Sequence, residues 1–145
     1  MIGLLQRVKT ASVRVEGELI ARIDQGLLVL VGVARGDVEA NADKLAARLM
    51  GYRLFADEAG KMNRSVLEVE GGIILVPQFT LAADTDCGNR ASFTTAAEPV
   101  RAAALFEHLV QAVRRQLPAA QTGRFGADMQ VALVNHGPVT FWLEA

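Results

Sequence analysis

The chain has 145 residues, 51% hydrophobic and 21% charged, which suits one globular domain spanning 1–145 with a core of its own. Fifteen basic residues against sixteen acidic ones give a net charge of −1, which argues against a grip on a long nucleic-acid backbone but leaves contact with a short nucleic-acid end open. The single cysteine, Cys87, excludes an internal disulfide and fits a reducing compartment. "MIGLLQRVKT" lacks the charged segment of a secretory signal, and no apolar run approaches the length of a membrane span, so a cytoplasmic protein with no membrane partner is expected.

In chain order, "GLLQRVKTASVRVEG" alternates apolar and polar residues and "ELIARID" follows Glu16-Gly17, which predicts a two-strand hairpin. "GLLVLVGVA" at 26–34 is a continuous apolar run with β-branched residues and reads as a central strand covered on both faces. Asp37 is a candidate N-cap for a helix carrying Val38, Ala42, Leu45, Ala46 and Leu49, with Gly51 at its C-cap. "YRLFADEAGKMN" reads as a strand, a turn through Glu58–Gly60 and a return. "GGIILVPQFTL" at 71–81 reads as a second buried strand.

Residues 82–93 are polar and read as a loop. A second helix is expected from about Glu98 to Leu117, with Pro99 in its first turn and Leu105, Leu109, Ala112 and Val113 as its stripe. "DMQVALVN" and "VTFWLE" predict two strands on either side of Gly137-Pro138. About seven strands and two helices make a mixed α/β domain whose helices cover a sheet.

Familiar catalytic sets are missing. His108 reads as a solvent-facing helix residue and His136 as a turn residue. With one Cys, and Asp84 and Asp86 in a loop, they form no metal-ligand spacing. A Cys87–His136 nucleophile pair is disfavoured, because the neighbouring acids oppose a thiolate. Two stretches stand out instead. In "VPQFTL", Pro77 should end or bulge a strand, Gln78 and Thr80 should share a face, and the N–H groups of 78–81 are released from a regular ladder. In "NHGPVT", Gly-Pro interrupts a strand-like segment.

"PQFTL" at 77–81 and "NHGPVT" at 135–140 resemble the two signature motifs of the D-aminoacyl-tRNA deacylases. "LLQRV" at 4–8, "GLLVLVGV" at 26–33, "GYRLF" at 51–55, "GKMN" at 60–63, "QTGRFGADMQV" at 121–131 and "TFWLE" at 140–144 extend the likeness along the chain. The resemblance implies a three-layer β/α/β fold with a curved, largely antiparallel sheet and two main helices. It also implies a homodimer, no metal or other cofactor, and hydrolysis of the ester joining a D-amino acid, or mischarged glycine, to the acceptor end of tRNA.

For the site, the resemblance implies a cis Gly137–Pro138 bond that enters the partner's active site and excludes L-amino acids, with Arg7 holding that segment in place. The oxyanion falls to the backbone of Phe79 and Thr80, with Gln78 shaping the strand. Asn135, Met129, Phe93 and Pro77 belong to the substrate pocket, Met129 and Phe93 against the terminal adenosine. Pro77 stands where the family usually has Ser. A related animal deacylase of relaxed chirality has Pro there, so an editing domain of relaxed chirality is one alternative. A non-catalytic dimer that binds tRNA ends is another.

Overall fold

In the computed structural model, which describes residues 1–145, the first strand organises the rest. β1 (Ile2–Val15) pairs antiparallel with β3 (Gly26–Gly32) through its first half and with β2 (Glu18–Ile23) through its second. Along its other side it pairs antiparallel with β8 (Met129–Glu144) from end to end. β3 continues the sheet in parallel with β6 (Gly72–Pro77), which in turn pairs with the two-residue β7 (Gln121–Thr122).

The β1–β2 hairpin turns where expected. Glu16 (φ 50°) and Gly17 (φ 81°) both take positive φ, the requirement of a two-residue turn whose twist matches its strands. The Gly26↔Gly72 pair opens the parallel ladder because only glycines fit there: a Cβ on Gly26 would stand 1.9 Å from the Gly72 carbonyl oxygen.

Alternation along β3 and β6 sends side chains into two cores. Leu27, Val29, Val31, Ile73 and Leu75 meet Leu45 and Leu49 of α1 (Glu39–Gly51) and Leu105 and Leu109 of α2 (Pro99–Arg114). Leu28, Ile74 and Val76 point the other way. They are covered by Val8, Ala11 and Val13 of β1 and by Ala21 and Ile23 of β2, because the sheet curls back over itself. Gln121 nearly closes the curl: its amide accepts from Arg22 N–H at 2.8 Å and donates to Arg22 C=O at 2.6 Å, standing in for a ladder bond between β7 and β2. Each fully buried Leu or Ile contributes roughly 1.5–3 kcal/mol relative to exposure. The mixed α/β architecture with a curved sheet and two helices is therefore the one expected.

Several local expectations differ. The cap position of α1 is Val38, whose N–H is received by Asn41 Oδ1 at 2.9 Å. Asp37 turns away, accepting from the Met1 ammonium at 2.6 Å and from Ala34 N–H at 2.7 Å. Gly51 is the last helical residue, and the cap falls on Tyr52. β4 (Phe55–Ala56) and β5 (Met62–Arg64) form a short hairpin whose turn is organised by Asp57, receiving Ala59 and Lys61 N–H at 2.9 Å each. His108 lies at the surface of α2 as expected, and its Nε2 also reaches across the helix pair to within 2.9 Å of Asp43 Oδ1.

The largest difference concerns 129–144, which form one strand rather than two. Both halves pair with β1 in the same direction, and the register shifts between Gln6 and Val8 and between Val8 and Thr10. Gly-Pro therefore makes a bulge in a strand, where a hairpin would have reversed the chain.

Candidate active site

β6 ends at Pro77, since proline has no N–H for the next rung. The chain then turns into a single 3₁₀ segment, Phe79–Ala82. This overturns the reading of 71–81 as one strand, yet Gln78 and Thr80 still meet, because Gln78 Nε2 donates to Thr80 Oγ1 across the turn. Gln78 N–H donates to Val31 C=O at 2.7 Å, and the first bond of the turn is Leu81 N–H to Gln78 C=O at 3.3 Å. The N–H groups of Phe79 and Thr80 fall before that first bond, so the turn leaves them unspent, as any helical start does. Both residues are exposed.

Beside them lies an aromatic pair. The Phe79 and Phe93 rings have centroids 5.1 Å apart and planes inclined by 51°. They expose 56% and 48% of their surface, large for aromatic side chains of a folded chain. Met129, the first residue of β8, accepts Arg124 N–H on its Sδ at 3.3 Å. Gly123 is the hub of this corner: a Cβ there would stand 2.7 Å from Met129 Sδ and 3.3 Å from Pro77 Cδ. Pro77 and Met129 thus meet across a glycine, where any side chain would have to displace the Met129 thioether.

The second segment is fastened by two side chains. Arg7 Nε donates to His136 C=O at 2.9 Å and its Nη1 to Leu54 C=O at 2.6 Å, so one guanidinium ties the bulge to the chain after α1. Asn135 Oδ1 receives Val139 N–H at 2.7 Å, and its Nδ2 donates to Thr140 Oγ1 at 2.8 Å, bracketing Gly137-Pro138. The Gly137–Pro138 peptide bond is cis, and Gly137 has φ 142°, where an added Cβ would meet Val139 Cγ2 at 2.6 Å. A cleft of about 700 Å³, lined by Arg7, Phe55, Arg64 and His136 among others, opens beside this segment.

The two segments do not meet within one chain. Gln78 sits beside Val31, and Arg7 pairs with Leu27, four residues along the same strand, or roughly 13 Å. They do share a face. Leu81 lies over Gly32, which points the same way as Leu30 along β3, and Thr140 and Trp142 pair with Gln6 and Leu4 on that side. Between the segments lie half-buried Leu4 and Leu30 and the 49%-exposed Trp142.

The family model described as D-Tyr-tRNA(Tyr) deacylase matches residues 4–144. The chain belongs to that family. A "D-aminoacyl-tRNA deacylase" from Thioalkalivibrio sulfidiphilus (strain HL-EbGR7) is 60% identical over 144 residues, covering 99% of this chain and 97% of the relative. One from Stutzerimonas stutzeri (strain A1501) is 58% identical over 145 residues, covering both chains completely. Among solved structures, the "c-Myc DNA Unwinding Element Binding Protein" superposes with a TM-score of 0.95 at 34% identity over 100% of this chain and 99% of its own. A probable eukaryotic D-amino acid tRNA deacylase shares the fold, with a TM-score of 0.86 at 16% identity over 99% and 98% of the two chains. As a D-Tyr-tRNA(Tyr) deacylase family member the chain is a hydrolase of an aminoacyl-tRNA ester.

The remaining candidates stay apart. Cys87 is exposed in the loop after the 3₁₀ turn, and no hydrogen bond joins it to His136. No helix is long and apolar enough to cross a membrane, and no group of three or more His, Cys, Asp or Glu is gathered to hold a metal ion. Sequence reasoning missed Gly123 and the Leu54 carbonyl. Gly123 lay in plain view within "QTGRF" but only its neighbours reveal its role; a main-chain oxygen leaves no trace in a sequence.

Proposed function

We propose that the chain removes D-amino acids, and glycine mischarged on tRNA, as a homodimer in which Gly137-Pro138 of one protomer closes the site formed by Gln78, Phe79 and Thr80 of its partner. The observation that carries this reading is the pair of unspent N–H groups at the exposed residues Phe79 and Thr80. An aminoacyl ester is already activated. Water adds to its carbonyl carbon, the carbonyl oxygen becomes an oxyanion, and two fixed amides receive that charge. The C–O bond then breaks and the proton passes to the ribose oxygen. One such donor is worth roughly 2.7–4 kcal/mol in known cases. Thr80 Oγ1 is held by Gln78 with no base in contact, which suits orienting water or substrate better than attacking the ester. The 2′-hydroxyl of the terminal adenosine is placed to help orient that water. Phe93, Met129 and Pro77 receive the adenosine.

Chirality is read by exclusion. Main-chain oxygens beside Gly137-Pro138, held by Arg7 and Asn135, stand against the α-carbon. They admit hydrogen and an ammonium there and clash with an L side chain, while a D side chain projects outward. Because the two segments lie at opposite ends of one sheet face, a two-fold axis near Leu4 and Leu30 would bring each to the other's partner segment. The half-exposed apolar strip between them supports that axis.

The test is ester loss from D-Tyr-tRNA, Gly-tRNA and L-Tyr-tRNA incubated with the protein. Rapid loss from the first two and none from the third is expected. Equal loss from all three would remove chiral exclusion, and no loss from any would favour a dimer that only binds tRNA ends.

A further inference from the structure

Met129 belongs to the most adaptable kind of side chain, yet its sulfur is held at one point. Methionine has three rotatable bonds and fills whatever gap surrounds it. Here the side chain is half-buried and packs against the smaller core, the one that contains Ile74 and Val76 of β6. Two neighbours in sequence then fix the thioether. Arg124 N–H donates to Met129 Sδ at 3.3 Å. Gly123 supplies the room, since a Cβ there would stand 2.7 Å from the same sulfur.

The segment that provides both features is itself anchored. Gly123 N–H donates to Leu75 C=O at 2.8 Å, which ties it to the last part of β6. The Phe125 ring lies against Phe106 of α2 with centroids 6.4 Å apart. Ala127 N–H donates to Arg124 C=O at 3.2 Å, and Gly126 takes φ 76°, which closes the turn before β8. The donor to the sulfur is therefore tied to the sheet and to the helix layer.

A Cβ on Gly123 would also come 3.3 Å from Pro77 Cδ. Its two neighbours would respond differently. The thioether lies towards the end of a flexible chain and can swing aside. Pro77 is a ring fused to the backbone, and at 3.3 Å it is asked to give only slightly. A methyl group at 123 thus moves Met129 and leaves Pro77, and the Phe79 and Thr80 amides that follow it, nearly where they were.

We infer that Gly123 is a positioning residue for the reaction: it leaves space for the Met129 thioether and, with the Arg124 amide, fixes the surface on which the terminal adenosine rests. This rests on the deacylase reading above and deepens it, by naming what sets the base side of the site. A polarisable sulfur suits the flat face or edge of an aromatic base.

The experiment measures D-Tyr-tRNA hydrolysis and, by calorimetry, adenosine binding in wild type, Gly123→Ala, Met129→Ala and the double variant. Gly123→Ala should raise KM roughly tenfold, the upper value of one sulfur–aromatic contact, with kcat changed less than about twofold. Adenosine binding should weaken by the same factor. The double variant should be no worse than Met129→Ala alone, because the group that Gly123→Ala displaces is already gone. Losses that multiply in the double variant would mean that Gly123 acts without Met129. A fall in kcat with KM unchanged would move its effect to Pro77 and the amides. A Gly123→Ala chain that no longer folds would make the glycine purely structural. Each of these outcomes, or wild-type KM in Gly123→Ala, overturns the inference. Wild-type protein that binds adenosine but leaves D-Tyr-tRNA intact would overturn the deacylase reading alone.

Discussion

The two ends of the shared sheet face solve opposite problems. At the β6 end the backbone is left unsatisfied: Pro77 stops the ladder, the 3₁₀ turn starts, and two N–H groups have no hydrogen-bond partner. At the β8 end the backbone is over-secured. Arg7 takes the His136 and Leu54 carbonyls, and Asn135 takes Val139 N–H and Thr140 Oγ1. On the proposed reading the first end holds donors for a developing oxyanion, which must be free, and the second a wall that rejects a side chain, which must not yield. On that reading, the main chain supplies both the donors and the wall.

The comparison breaks most completely if the ends are kept from meeting across protomers. Leu4→Arg places a charge on the apolar strip between them, and elution as a monomer with hydrolysis of D-Tyr-tRNA lost is expected in size-exclusion and deacylation assays. A dimer with full activity would move the interface elsewhere.

The donor end can be sharpened with two changes at one position. Phe79→Ala removes the ring, and Phe79→Pro removes the ring and the N–H together. Proline is tolerated at the first position of a helical turn, and Gln78, at φ −143° and ψ 83°, lies outside the α region that a following proline disfavours. We expect kcat of Phe79→Pro to fall about 10²–10³-fold below that of Phe79→Ala. Equal rates would take the Phe79 amide out of the reaction.

The wall end yields to Arg7→Ala, which leaves two carbonyls without their charged donor. A stability loss of about 1.5–3 kcal/mol per such bond is the upper range for groups of this kind, and partial exposure lowers it. The telling readout is the ratio of L- to D-Tyr-tRNA hydrolysis, expected to rise about tenfold as the segment loosens. A destabilised variant with the wild-type ratio would make Arg7 structural only.

The smallest effect lies away from both ends. The Arg101 guanidinium, through its hydrogen bonds, holds the Glu39 carboxyl at about 2, below its ordinary 4.5. A depressed folded-state pKa stabilises the protein above 4.5, and that contribution disappears as pH falls from 4.5 toward 2. Glu39→Gln should therefore melt slightly lower than wild type at pH 7 and lose less of its Tm on acidification, with deacylation unchanged.

The elements show where local signals sufficed. The hairpin at Glu16-Gly17, the central strand from Gly26 and the stripe of α2 carry their instructions in a few neighbouring residues: turn residues of positive φ, a run of β-branched side chains, a 3.6-residue repeat. The failures share a different cause. Asp37 is a good cap by type, but the Met1 ammonium and Ala34 N–H compete for it and win. "VPQFTL" reads as strand until the absent proline N–H ends the ladder. β7 has only two residues and exists because β6 lies beside it.

Of the site, the residue types and their clustering in "PQFTL" and "NHGPVT" were legible from the sequence, because proline and glycine punctuate the backbone by their own chemistry. The sequence alone also determined which faces of β3, α1 and α2 are apolar, since periodicity is a local property. Only the tertiary structure decided that Gly-Pro is a bulge within one strand, that Arg7 reaches the carbonyls of residues 54 and 136, and that the two motifs occupy opposite ends of one face. Those facts depend on long-range strand register and on main-chain oxygens common to every residue, and neither is written in side-chain identity.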